Sequence, residues 1–541
     1  MRNNFMSLKK CLLTSVCALA GTLMSLSASA QSIETGQLGA AQAYDAGVID
    51  VGSGGLDAAL WQGTSSEIAA HLLETIPLTS QNTLVQDLIE AVVFSAGVPP
   101  QGSDEGSDVR YDQLRLKTVM QLGNKEALDN IASRNPDIAR DPAIRADLAL
   151  AGGDVAGACT IADNITDGRG TPVWAKLRAF CHIERGEASA AELTTELLQN
   201  TGHEDDVFYA LMKVLTGAAK DLPDTRNISD PLLRAMVLKA GGTVGAGGAG
   251  EANALDESAS SGSRLNAVFK QAETLNDGQI ASVFSQIAYG DDNLAGGTNF
   301  DYASFDLESA KADPTARGMA QLFQLATASG DVRSSAQAMA LVLKRADRDG
   351  TFTRFSKLFE NNLAVIPASF QAEADLKTFA RAAVERGDIG ALQGFYNAME
   401  EGPQKARMAL VADALGNGFT LGTLGKDIEG RLEGSGAEKR RAVRDTFIAT
   451  AMGARLSGNA AIALEGTGNG VGSAVKAGDI LGLASAAKAG SRAETALRAA
   501  IIIDKSPLDD RSLAAVIDAL SVAGLPQFAG RLAAEDFLSA L

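Results

Sequence analysis

Gly153 to Glu187 reads GDVAGACTIADNITDGRGTPVWAKLRAFCHIERGE, and this stretch decides the fold. It opens and closes on one device, Gly153-Asp154 and Gly186-Glu187, with apolar residues at helical spacing between them. Glycine takes the left-handed backbone that stops one helix, and an Asp or Asn side chain caps the amides that begin the next. Val155, Cys159 and Ala162 share one helical face, as do Trp174, Leu177 and Cys181. The expected unit is a helical hairpin.

The same punctuation recurs at Gly123-Asn124, Gly330-Asp331, Gly387-Asp388, Gly458-Asn459 and Gly478-Asp479. Gly123, Gly153 and Gly186 are 30 and 33 residues apart, the length of a helix-pair repeat, whereas Gly330 to Gly387 is 57 and Gly458 to Gly478 is 20. A degenerate array is therefore expected. Upstream, Thr64-Ser65-Ser66-Glu67 fits a capping box ahead of the stripe Ile68, Leu72, Leu73 and Ile76. Leu84, Leu88 and Val92 beside Val85, Ile89 and Val93 make a wide apolar face that neighbours must cover. Residues 241–263, rich in Gly, Ala, Ser and acids, cannot bury enough apolar surface to offset their ordering entropy and read as a linker.

Val173-Trp174-Ala175-Lys176-Leu177-Arg178-Ala179-Phe180-Cys181 resembles the tetratricopeptide and Sel1-like repeat families. Trp174, Leu177 and Cys181 keep the Trp, Leu and Tyr spacing, with Ala190 and Ala191 near the small residue of the second helix. Arg178 stands for the usual Gly and Cys181 for Tyr. The chain is also similar to exported helical proteins of proteobacteria, a likeness that brings no activity with it. The tetratricopeptide resemblance implies an α-solenoid, a superhelix of stacked hairpins with a concave binding surface.

Lys9 and Lys10, the apolar run Cys11–Leu26 and Ala28-Ser29-Ala30 read as a secretory signal peptide over residues 1–30, cleaved between Ala30 and Gln31. Cleavage removes Arg2, Lys9, Lys10 and no acid, so a formal charge of -18 becomes -21. Such a charge, without a basic run long enough to track phosphates, argues against nucleic acid as a partner. No later stretch has the length of a transmembrane helix, and the periplasm is the expected compartment. Residues 31–55 read as a flexible lead-in, 56–240 as an N-terminal helical-repeat domain and 264–541 as a C-terminal one. Aromatics at 5% and abundant Ala favour close-packed helices, so the expected class is all-α, a solenoid in one or two segments.

Cys159 and Cys181 are the two cysteines left after cleavage, on faces that meet where one hairpin packs on the next. A structural disulfide is expected in an oxidising compartment. A zinc set of Cys159, Cys181, His182 and His203 is disfavoured, because adjacent helix positions diverge by about 100 degrees. His71 reads as a surface or interfacial residue. Asp347-Arg348-Asp349-Gly350 imitates a calcium loop, but its frame puts Arg345 and Ser356 at ligand positions that need carboxylates. Asp291-Asp292-Asn293 is equally incomplete.

Gly466 to Ser473 lacks the Lys and the preceding strand of a phosphate loop, and reads as a flexible connection. The many acids, Glu204-Asp205-Asp206 included, read as solvated surface, while convergence of distant carboxylates in a cleft stays open. Trp61, Trp174 and Tyr209 are candidates for packing or partner contact. No catalytic residue, metal site or cofactor is expected. The functional expectation is an exported scaffold, not an enzyme, that docks an envelope protein or peptide. The alternatives are an accessory or relative of superhelical cell-wall enzymes, and a structural cell-surface protein. The first alternative would need a lysozyme-like domain with a catalytic Glu in a Glu-Ser context and a downstream Gly-Leu-Met-Gln-type segment, a set that the sequence does not show.

Overall fold

The computed structural model describes residues 47, 49, 51, 55–78, 80, 82–102, 111–122, 141–224, 228, 230–242, 260–270, 272, 275–289, 305–416, 425–465, 467–468, 470–505 and 507–541. Helix takes 72% of these and no strand forms among them, so the chain is all-α. The signal segment with Ala30 and Gln31, nearly all of 31–55, most of 241–263, Gly123-Asn124 and Asp291–Asn293 lie outside the described residues.

Three helices come first: α1 (Ser66–Thr75), α2 (Thr83–Val93) and α3 (Tyr111–Leu122). Six follow: α4 (Pro142–Ala151), α5 (Val155–Asn164), α6 (Pro172–Glu184), α7 (Ala188–Asn200), α8 (Asp206–Leu215) and α9 (Pro231–Lys239). The middle of the chain holds α10 (Ser261–Lys270), α11 (Asp277–Tyr289), α12 (Leu307–Ala312), α13 (Ala316–Ala328), α14 (Val332–Arg348), α15 (Phe352–Leu358), α16 (Glu360–Val365), α17 (Ala368–Arg386) and α18 (Ile389–Ala398). Then come α19 (Pro403–Leu415), α20 (Lys426–Leu432), α21 (Gly436–Ala451), α22 (Gly458–Leu464), α23 (Ala477–Ala489), α24 (Arg492–Ile503), α25 (Asp510–Val522) and α26 (Pro526–Ser539).

Glycine and Asp punctuate several of these helices as the sequence suggests. Gly153, Gly186 and Gly387 are left-handed, and Asp154, Asp331 and Asp388 accept from the first-turn amides of α5, α14 and α18. Gly458 and Gly478 instead lie within the first turns of α22 and α23, and Gly490 ends α23. The capping box also shifts by one residue. Ser65 caps α1 by accepting from Ile68, because Thr64 donates its hydroxyl to Glu494 at 3.1 Å. Leu72, Leu73 and Ile76 are buried while Ile68 is exposed.

Two apolar cores form. One contains Leu150, Ala158, Trp174, Phe180, Phe208 and Met236, all from α4–α9, and α9 packs back on α4. The other joins the α1–α3 face to side chains from α10 through α26. There α2 lies against α24, and α26 packs on α17 and α19. The wide face of α2 explains this: Leu84, Val85, Leu88, Ile89 and Val92 need more cover than α1 and α3 supply. The cores thus part at the two ends of α4–α9, between α3 and α4 and again between α9 and α10. Residues 41–541 group as one unit.

Aromatic side chains are scarce but internal. Phe269, Phe284, Phe323, Phe355 and Phe359 form one cluster, with Phe284 and Phe323 stacked at 4.0 Å. Large rings there supply burial that Ala-rich helices cannot.

Candidate functional site

The two cysteines expected to pair are joined: a disulfide links Cys159 of α5 to Cys181 of α6, their Cα atoms 5.6 Å apart. The bond crosses from the second helix of one hairpin to the first of the next. His182 and His203 are not drawn to it; His182 Nδ1 lies 2.7 Å from Glu187, and His203 Nε2 is buried without a hydrogen-bond partner. Among the described residues no three His, Cys, Asp or Glu side chains are grouped to hold a metal ion. In the calcium-like loop Asp347 pairs with Arg381, while Asp349 takes Arg345 at 2.5 Å. His71 is exposed.

Trp61 is buried with its edge on Tyr111, and Trp174 is buried in the α4–α9 core. Tyr209 donates to the His203 carbonyl. Trp61 and Trp174 thus pack inside, and Tyr209 lies half-buried against the α4–α9 core. Asp205 is not solvated surface either. It caps α8, accepting from Phe208, and pairs with Lys176 at 2.9 Å. Burial works against its charge, but those hydrogen bonds outweigh it and hold the carboxyl below its ordinary range.

The richest chemistry lies on α21. Its segment Glu438-Lys439-Arg440-Arg441-Ala442-Val443-Arg444-Asp445 sets four cations beside a buried acid. Asp445 is 0% exposed and accepts from Arg407 Nη1 at 2.7 Å, Arg431 Nη1 at 2.9 Å and Arg441 Nε at 2.9 Å. One carboxylate thus anchors three guanidinium groups from α19, α20 and α21. Arg441 also donates to Asp536 at 2.8 Å, and Arg444 reaches Asp536 at 2.6 Å and Asp510 at 2.8 Å. Burial opposes the Arg444 charge, but hydrogen bonds to Asp536 and Asp510 raise its pKa. Burial pushes the Asp510 carboxyl up despite Arg444.

This network floors a cavity of ≈ 820 Å³. Four cations line it, Lys439, Arg440, Arg441 and Arg444, against two carboxylates, Asp510 and Asp536. Val443, Leu508 and Val471 add apolar wall. Residues 470–473, in the connection between α22 and α23, line the same cavity and lie close against residues 507–510. Ser473 donates to the Pro507 carbonyl at 2.8 Å and accepts from Asp509 at 3.2 Å. A side chain at Gly470 would collide with the Asp510 carboxylate, and one at Gly472 with the Leu508 backbone; both have positive φ. Glycine is required there for close approach.

A second cluster surrounds Arg531, which donates to Glu535 at 2.9 Å, Glu385 at 3.2 Å and Thr83 at 2.7 Å and also pairs with Asp87. Glu385 and Glu535 face a cavity of ≈ 540 Å³ with Lys377 and Arg381. Burial raises the Glu535 pKa, Arg531 opposes and Glu385 reinforces. Distant carboxylates, whose convergence the sequence leaves open, do meet here on one shared guanidinium.

Against known proteins the chain matches no family model, no curated protein and no solved structure.

The α21 cations are not legible as a site from the sequence, because their run is too short to track a phosphate backbone. Their signal is four cations within six residues, but the acids that organise them, Asp510 and Asp536, are remote along the chain.

Proposed function

We propose that the chain is an exported helical scaffold that binds a protein partner in the cell envelope and carries out no chemistry of its own. The observation that carries this reading is the cavity beside α21, where Lys439 and Arg440 form no ion pair among the described residues. Cations left unpaired at the mouth of a cavity of this size suit recognition, since every carboxylate facing it is held by a guanidinium. Export is supported by the basic and apolar leader of residues 1–30 and by the Cys159–Cys181 bond, which belongs to an oxidising compartment such as the periplasm. Stacking in the tetratricopeptide manner is supported within α4–α9, where α4 pairs with α5, α6 with α7 and α8 with α9. No helix among the described residues is long and apolar enough to cross a membrane.

The test is retention. Immobilised mature chain, incubated with envelope extract, is expected to hold a defined protein that Lys439→Gln with Arg440→Gln releases. Equal recovery by the double variant would contradict the reading.

A second reading, hydrolysis of cell-wall glycan, is favoured by the convergence of Glu385 and Glu535 on one cavity with Glu535 raised by burial. It expects muropeptides from purified sacculi, abolished by Glu535→Gln. Intact sacculi after incubation with the native chain would dismiss it.

A further inference from the structure

Among the described residues three cavities gather five or more charged side chains each, and they differ in what remains unpaired. In the ≈ 850 Å³ cavity beside α14, Lys311 pairs with Glu308, Lys344 with Asp375 and Arg345 with Asp349. Only Arg348 lacks a partner there among the described residues. The Glu385 cavity has three carboxylates against two cations, all tied into the Arg531 cluster or its neighbours except Lys377, whose amine donates to the Ser539 carbonyl at 3.1 Å. The cavity beside α21 keeps two adjacent cations free, and Val471 stands at its rim 78% exposed.

Free charge and free apolar surface thus occur side by side. A bare anion would leave Val471 wet, and an apolar group alone would leave Lys439 and Arg440 without a counter-charge. A phosphate backbone needs more than two free cations. The field of the rest of the chain is screened beyond roughly 10 Å at 0.1 M salt, so local cations decide what binds in the cavity.

We propose that this cavity receives an acidic, apolar peptide segment of the partner, its carboxylate paired by Lys439 and Arg440 and a flanking apolar side chain laid on Val471. The inference rests on the reading of the cavity as the binding surface and adds the chemistry of the segment. Ion pairs at the mouth set orientation, and burial of the apolar neighbour supplies residence.

The experiment selects random heptapeptides displayed on phage against the immobilised mature chain. The expected result is enrichment of Asp or Glu flanked by Leu, Ile, Val or Phe. Synthetic copies should bind at least 10-fold more tightly than versions with Asn and Gln in place of the acids. Lys439→Gln with Arg440→Gln should lose that preference, whereas Lys439→Arg with Arg440→Lys should keep it. Neither residue is buried, so the variants should unfold at the wild-type urea midpoint. Enrichment without acidic bias, no enrichment at all, or the same pool from the double Gln variant would overturn the proposal. An extract partner held at the cavity in the face of any of these would refute the peptide class alone and leave the binding reading standing.

Discussion

Asp445 shows what one buried charge does in this molecule. Its carboxylate is fully enclosed and shared by Arg407, Arg431 and Arg441, so its removal would strand three guanidinium groups at once. Breaking a buried ion pair by deleting one partner costs about 3–5 kcal/mol. Asp445→Ala should lose about that much, read as a fall in the urea midpoint; a change below about 1 kcal/mol would mean that the network is dispensable.

Asp147 on α4 behaves in the opposite sense. Burial, then Asp230 and Asp141, push its pKa up from 3.8 to about 6, with Lys117 and Lys176 opposing. Because the folded state binds this proton more tightly than the unfolded chain, the contribution of Asp147 to stability is greatest below about 4 and is lost as pH rises through about 6. Asp147→Asn should remove that slope and stabilise the chain near neutral pH by roughly 1–3 kcal/mol. Urea midpoints compared from acid to neutral pH check this, and parallel curves for both proteins would contradict it.

At the scale of elements, the α5–α6 junction and the glycine rim are held by different means. The Cys159–Cys181 bond closes a loop with a sequence separation of 22, which the chain-entropy model values at about 3 kcal/mol. Cys159→Ser with Cys181→Ser should therefore speed amide exchange in α5 and α6 and leave α21 unchanged; uniform loss of protection would contradict this. The rim depends on backbone proximity instead. Gly472→Ala, at a positive φ and against Leu508, should detach the rim and weaken partner retention, with little effect on α4–α9. Retention equal to the native chain would show that the rim takes no part.

Much at this level is legible in the sequence. The α2 stripe and the facing cysteines follow from helical period alone, because a face repeats every three or four residues whatever it packs against. The need for glycine at 470 and the cavity beside Lys439 are not legible, since Asp510 and Asp536 arrive there through the fold and not the chain. Gly478 misleads for a related reason. A glycine followed by Asp suits a first turn as well as a stop, and only packing separates the two.

At the scale of the molecule, the first helices belong with the last. Thr64 bonds Glu494, Ala493 donates to the Leu60 carbonyl at 2.8 Å, and α2 covers α24. A strict neighbour-only array would tolerate loss of its first hairpins. Here a chain beginning at residue 141 should lose cooperative unfolding of the core that spans α10–α26, and an unchanged midpoint would contradict that expectation. The wide face of α2 announces that cover is needed, but hydropathy does not say that α24 provides it.

The most direct measurement places a photo-cross-linker at residue 471 and, as a control, at the exposed Leu193, and irradiates living cells. A discrete protein adduct from residue 471, missing from residue 193 and recovered with the periplasmic fraction, is the predicted result. Identical adducts from both positions, or adducts only with cytosolic proteins, would contradict an exported scaffold that binds its partner beside α21.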